Sequence, residues 1–118
     1  MAKGDDIEAR LVAFAVKVLE LCERLPKSPE GSHIGGQLLR SGTAGAPNYA
    51  EAIHKLGIVL KELNESRVWL QMVQERKSVE PERVKPVLEE CVVLSKIIAS
   101  SRRTAAECFA AFQQCNKP

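Results

Sequence analysis

The sequence predicts an all-α protein, an antiparallel up-and-down four-helix bundle with a long C-terminal helix, and three observations carry that prediction. Apolar residues recur in steps of four and three along three segments, the spacing of a helix that buries one side. Hydrophobic residues make up 45% of the chain but aromatics only 4%, so the core has to be filled by Leu, Val, Ile and Ala, which interdigitate between helices. The 118 residues suffice for one core and not comfortably for two, so residues 1–118 are read as one domain.

Asp5 and Asp6 suit the start of the first helix, because carboxylates complement the positive end of the helix dipole. Ile7, Leu11, Phe14, Val18, Leu21 and Leu25 form its seam, which Val12, Val16 and Leu19 are expected to widen. Pro26 stops it, and residues 27–31 read as a connector. From His33 to about Ala52 the signal is mixed: Gly35, Gly36, Gly42, Gly45 and Pro47 have poor helix propensity, which argues for loop over half the stretch. Small residues also let helix backbones approach closely, and any helix here is expected to kink at Pro47. The third helix is expected from Ile53 to about Lys77. Leu56, Val59, Leu60, Leu63, Leu70 and Val73 face inward, and Glu62, Glu65, Trp69 and Met72 form a second face.

The fourth helix is the longest. Val84, Leu88, Cys91, Ser95, Ile98, Arg102, Ala105, Phe109 and Phe112 alternate four and three without a break, a coiled-coil-like repeat. Between Val87 and Ile98 it is apolar on nearly every side, counting Val92, Val93, Leu94 and Ile97. Three partner helices do not cover so wide a face, so Val93 and Ile97 are expected to meet another subunit.

Charge and cysteine content narrow the function classes. No segment approaches the roughly 18 apolar residues of a membrane span and the first residues lack an apolar leader, so a cytoplasmic protein with no membrane partner is expected. A formal charge of +2 permits nucleic acid as a partner without requiring it. Cys22, Cys91, Cys108 and Cys115 contain no CxxC pair and are read as core thiols. Along one helix Cys91, Cys108 and Cys115 stand too far apart to bridge one another.

The segments Gln37-Leu38-Leu39-Arg40-Ser41, Asn48-Tyr49-Ala50-Glu51-Ala52 and residues 61–70, Lys61 through Leu70, together resemble the four-helix-bundle proteins named after the 23S ribosomal RNA intervening sequence. The resemblance spans the Phe14 helix through Leu70. It implies an antiparallel bundle assembled into a ring, a homopentamer, with no enzymatic activity or cofactor and with nucleic acid as the suggested partner. Two departures stand out. Gly42-Thr43-Ala44-Gly45-Ala46-Pro47 puts the straightness of the second helix in question. At Ala52-Ile53 the family's polar connector is missing, so either the second and third helices join into one or a linker has been omitted, and the match on both sides favours omission.

Three functions are weighed on these residues. A dimetal carboxylate enzyme would draw on Glu30-Gly31-Ser32-His33 and Glu51-Ala52-Ile53-His54, but a helix between them would hold the histidines roughly 30 Å apart. No cysteine or serine has a recognisable base partner for nucleophilic catalysis. The expectation is therefore a non-enzymatic, self-assembling protein that binds structured RNA or duplex DNA through dispersed basic residues, Arg76, Lys77, Arg102 and Arg103. The alternative is a scaffold that binds another protein, for which Trp69 would be an anchor. Arg40, Asn48, Glu51, Glu62 and Glu65 are read as a polar network or binding site, with Arg40 answering the glutamates and fixing helix register.

Overall fold

The computed structural model describes residues 3–116, and side chains from residue 6 onward. The described residues form four α-helices and no strand: α1 (Lys3–Glu23), α2 (Pro29–Glu51), α3 (Leu56–Arg76) and α4 (Pro81–Cys115). Each helix packs antiparallel on the one before it, and α4 returns along α1 in the thinnest seam. The periodic residues make the core. Leu11, Phe14 and Val18 of α1, Leu38 of α2, Val59, Leu63 and Leu70 of α3, and Val84, Leu94 and Ile98 of α4 are all at most 2% exposed. Burying each such side chain is worth about 1.5–3 kcal/mol.

Helix boundaries follow local chemistry. The helix α1 already begins at Lys3, so Asp5 and Asp6 fall within its first turn and not at its cap. Residues 27–31 are not all connector, because α2 starts at Pro29, whose missing amide donor is no loss at the first helical position. Ser28 caps that helix by accepting from the Gly31 amide at 3.1 Å. A Cβ at Gly31 would lie 2.0 Å from the Pro26 carbonyl oxygen, so only glycine lets the incoming chain cross there.

The half-loop expectation for residues 33–52 is overturned: α2 is unbroken through four glycines and Pro47. Packing explains why propensity failed. A Cβ at Gly42 would lie 2.8 Å from both Val18 methyl carbons, and one at Gly45 would meet a Leu11 methyl at 3.3 Å. The missing side chains are the space into which α1 sinks, and tertiary burial outweighs roughly 1 kcal/mol of helix propensity per glycine.

The α2–α3 junction is neither one long helix nor a gap requiring an omitted linker. Ala52 is extended (φ −170°, ψ 152°), and a single 3-10 turn, Ile53–Lys55, delivers the chain to α3. These four residues are within the usual span for antiparallel neighbours. The third helix thus starts at Leu56 and not at Ile53. It ends at Lys77 in the left-handed region (φ 59°), where the amide donates to the carbonyls of Val73 and Gln74.

The helix α4 outruns its partners. Its 35 residues extend about 52 Å, and they dominate the 62 Å long axis of the molecule. Beyond Ile98 no residue of α4 is fully buried: Phe109 and Phe112 are 61% and 64% exposed, and Cys108 and Cys115 are exposed as well. The inward assignment of Phe109, Phe112 and these two thiols is therefore corrected. Past Ala105 the heptad continues where no helix among the described residues stands opposite it. Val12, Val16 and Leu19 also lie outside the seam they were expected to widen, each 44–49% exposed.

Candidate binding surfaces

The most connected polar cluster lies between α2 and α3. Glu62 and Glu65 stand one turn apart and point the same way, so a single guanidinium can answer both. Arg40 Nη1 donates to both Glu62 oxygens at 3.2 Å, and its Nη2 donates to Glu65 Oε2. Trp69, one further turn along, donates its indole N–H to the same Glu65 oxygen at 3.1 Å. Beneath this cluster the Ser41 and Ser66 hydroxyls meet at 2.9 Å within the core, with carbonyl acceptors at Leu38 and Glu62. The serine pair was not foreseen from sequence; its only trace is a small polar residue on each helix where the seam calls for an apolar one.

Asn48 and Glu51 do not join this cluster. The Asn48 amide donates to the Ala44 carbonyl of its own helix at 2.8 Å, and Glu51 reaches Lys55 across the turn at 3.7 Å. Pro47 leaves the carbonyl one turn back without its usual amide donor, and Asn48 supplies a donor to the neighbouring carbonyl instead.

Trp69 is half-buried, with its ring edge-on to His33 at a centroid distance of 6.0 Å. Together with Pro29, Ile34, Met72 and Arg76 these rings border an open groove of about 500 Å³. His33 thus sits in α2 against an aromatic ring, while His54 sits in the 3-10 turn. Among the described residues no three His, Cys, Asp or Glu side chains gather as a metal site.

The basic residues divide between the two ends of the bundle. Arg76 rims the groove and Lys77 forms the turn after α3. Arg102 and Arg103 are exposed on α4 near the opposite end, where the Arg102 guanidinium lies 3.3 Å from a Cβ position on Gly57, in the first turn of α3. The two pairs do not make one stripe, since the 21 residues of α3 hold them roughly 30 Å apart. Arg102 instead adds its charge to the positive end of the α3 dipole, next to His54 and Lys55.

On α4, Val93 is exposed and Ile97 half-buried. The seam with α1 is closed by an ion pair that sequence reading missed: Arg10 Nε and Nη2 donate to the Glu90 oxygens at 3.0 and 2.7 Å. That hydrogen-bonded carboxylate raises the Arg10 pKa above its usual value. Its sequence signal is slight: each partner is next to a core residue, Leu11 or Cys91.

The two inner thiols are set for inertness. Burial pushes the Cys22 thiol up. Burial also pushes Cys91 up, to about 12, and its Sγ lies 3.1 Å from the Leu63 carbonyl oxygen.

A solved structure shares this arrangement. The crystal structure of a protein of unknown function from the S23 ribosomal protein family of Bacteroides thetaiotaomicron VPI-5482 superposes with a TM-score of 0.77. The chain has the fold of the S23 ribosomal protein family. Sequence identity with that S23 protein is 26%, and the match covers 86% of this chain and 99% of the other. The resemblance read from the three sequence segments and this structural match agree on a four-helix bundle. No family model and no curated protein matches the chain. Nor does any helix among the described residues have the length and apolar character to cross a membrane.

Proposed function

We propose that this S23-type bundle is a non-catalytic protein that assembles with copies of itself into a closed ring and holds structured RNA or duplex DNA on its phosphates. The observation that carries the reading is the apolar surface left open on the outer helices: Val12, Val16 and Leu19 form a second apolar row on α1, and Val93 stands open on α4. Soluble monomers do not usually leave such rows uncovered, and a ring closes when one patch of each copy meets a different patch of the next, here the α1 row against the open side of α4. Five subunits is the number that the resemblance implies.

The nucleic-acid part is supported by Arg102, whose guanidinium stands at the amino-terminal end of α3, where it and the helix dipole favour an anion, with Arg103 exposed beside it on α4. One such pair binds weakly, and a ring repeats it around an axis, raising avidity with no new contact. Few aromatics are available for stacking on single-stranded bases, so the partner is a structured or duplex nucleic acid.

The test is retention of a structured RNA and a duplex DNA by the assembled protein, measured against salt. The logarithm of the association constant should fall by about 0.9 per phosphate neutralised for each unit in the logarithm of salt on B-form DNA. The double variant Arg102→Glu with Arg103→Glu should weaken both ligands about equally. If the intact oligomer retains neither at low salt, the nucleic-acid reading fails and a protein-binding scaffold replaces it. The apolar groove beside Trp69 and Met72 is the feature that favours this second reading.

A further inference from the structure

The free end of α4 has a face that calls for an occupant. At about 100° per residue, Ala105, Cys108, Phe109, Phe112, Cys115 and Asn116 fall within roughly 120° of arc. Between Ala105 and Asn116 that face carries no charge, since Glu107 lies on the other side of the helix; Arg102, one turn earlier, borders its start. Both phenylalanines and both cysteines on it are exposed, since the helix has run past α1 and α3. An uncharged apolar stripe of twelve residues matches a second copy of itself better than any charged partner.

We propose that this segment pairs antiparallel with the same segment of a second copy, and that Cys108 and Cys115 lock the pair through two symmetric disulfides when an oxidant is present. Register supports the proposal. Phe109 and Phe112 occupy the two alternating seam positions of the heptad, and in an antiparallel pair one kind of seam position packs against the other. Stacking Phe109 of one chain on Phe112 of its mate, and Phe112 on Phe109, is therefore the self-consistent alignment. Cys108 and Cys115 each immediately precede a seam residue, Phe109 or Asn116. In this alignment such flanking positions meet across the interface, so Cys108 faces Cys115 of the mate, and the reverse. Ala105 and Ala106 leave room for close approach of the helices. Within one chain the same cysteines are two turns apart and cannot bridge.

Twelve residues are too few for a stable coiled coil alone, so the thiols set the lifetime of the contact. With oxidised glutathione as oxidant the chemistry balances. The Cys108 thiolate attacks one glutathione sulfur, forming a mixed disulfide and releasing one reduced glutathione. The Cys115 thiolate of the second chain then attacks the Cys108 sulfur of that mixed disulfide and releases the second. The second bridge closes within the tethered pair, where the effective thiol concentration is on the order of millimolar. This contact goes beyond the ring proposed above and uses a different side of α4 from Val93.

The test is incubation of the whole protein, in a Cys22→Ser background, with oxidised glutathione, followed by a non-reducing gel. The unsubstituted tip should give a covalent dimer that a dithiol reverses. Cys108→Ser alone and Cys115→Ser alone should each stay uncross-linked, because neither retains a complementary pair. Mixing these two variants should restore a dimer through the one remaining Cys115–Cys108 pair. Phe109→Ser with Phe112→Ser should slow cross-linking about tenfold or more, by removing the apolar contact. Val93→Glu, which acts on the ring surface, should leave the cross-link unchanged, separating failure of the ring from failure of this pairing. A single-cysteine variant that cross-links to itself as fast as the parent would overturn the register. Conversion of the exposed thiols to glutathione adducts with no dimer would overturn the pairing itself.

Discussion

A Cβ added at Gly42 would press on both Val18 methyl carbons, whereas one at Gly36, in the same helix, meets nothing within 4 Å. Gly36→Ala should accordingly stabilise the fold by about 0.5–1 kcal/mol, the backbone-entropy gain of alanine in a helix. Gly42→Ala gains the same propensity but incurs about 1–3 kcal/mol of overpacking, and should be destabilising overall. Thermal unfolding reads both, at roughly 4 °C per kcal/mol for a domain of this size. These glycines look alike in sequence; what separates them is the side chain that α1 presents, which no local propensity contains. Cys91 gives a second residue-scale prediction. Its thiol titrates at about 12 in the folded chain against 9.0 ordinarily, so folding favours the protonated form. Stability from that preference is complete below pH 9 and declines as pH rises from 9 towards 12, because the unfolded chain loses the proton first. The decline should amount to a few kcal/mol by pH 12 and be absent in Cys91→Ser. Thiol labelling at neutral pH should modify Cys108 and Cys115 fast and Cys91 only on unfolding.

At the scale of the element, Arg40 pins α2 to α3 through two carboxylates, of which the Glu62 side chain is only 12% exposed. Arg40→Leu should cost about 1–2 kcal/mol, chiefly by leaving Glu62 poorly solvated and unpaired, and Arg40→Leu with Glu62→Leu should recover most of it. A double-mutant cycle in urea measures the coupling. The spacing of Glu62 and Glu65 shows that they share a face, but which helix supplies their cation is a matter of register. Asn48 and Glu51 illustrate that limit: they occupy the same kind of position in sequence, yet bond within their own helix and turn. The helix α4 was legible in length and in the apolar character of its seam. Its stripe does not say whether a partner stands opposite, and past Ala105 none among the described residues does. The turn at Ala52 was illegible for another reason: an extended alanine and one 3-10 turn require neither glycine nor proline, so no residue announces them.

At the scale of the whole molecule, four helices bury one core and leave apolar side chains outside it, and the proposed assembly is what would cover them. Val93→Glu or Ile97→Glu should dissociate the ring and leave the bundle folded if those residues meet a neighbour, and circular dichroism distinguishes this from unfolding. The more exposed Val93 should give the cleaner separation. Light scattering after size exclusion under reducing conditions, at micromolar concentration, tests self-assembly most directly. The account predicts a discrete particle several times the 13.0 kDa chain, with five chains the expected number. A particle of 13.0 kDa would contradict it, because the row on α1 and Val93 on α4 would then face water with nothing to cover them.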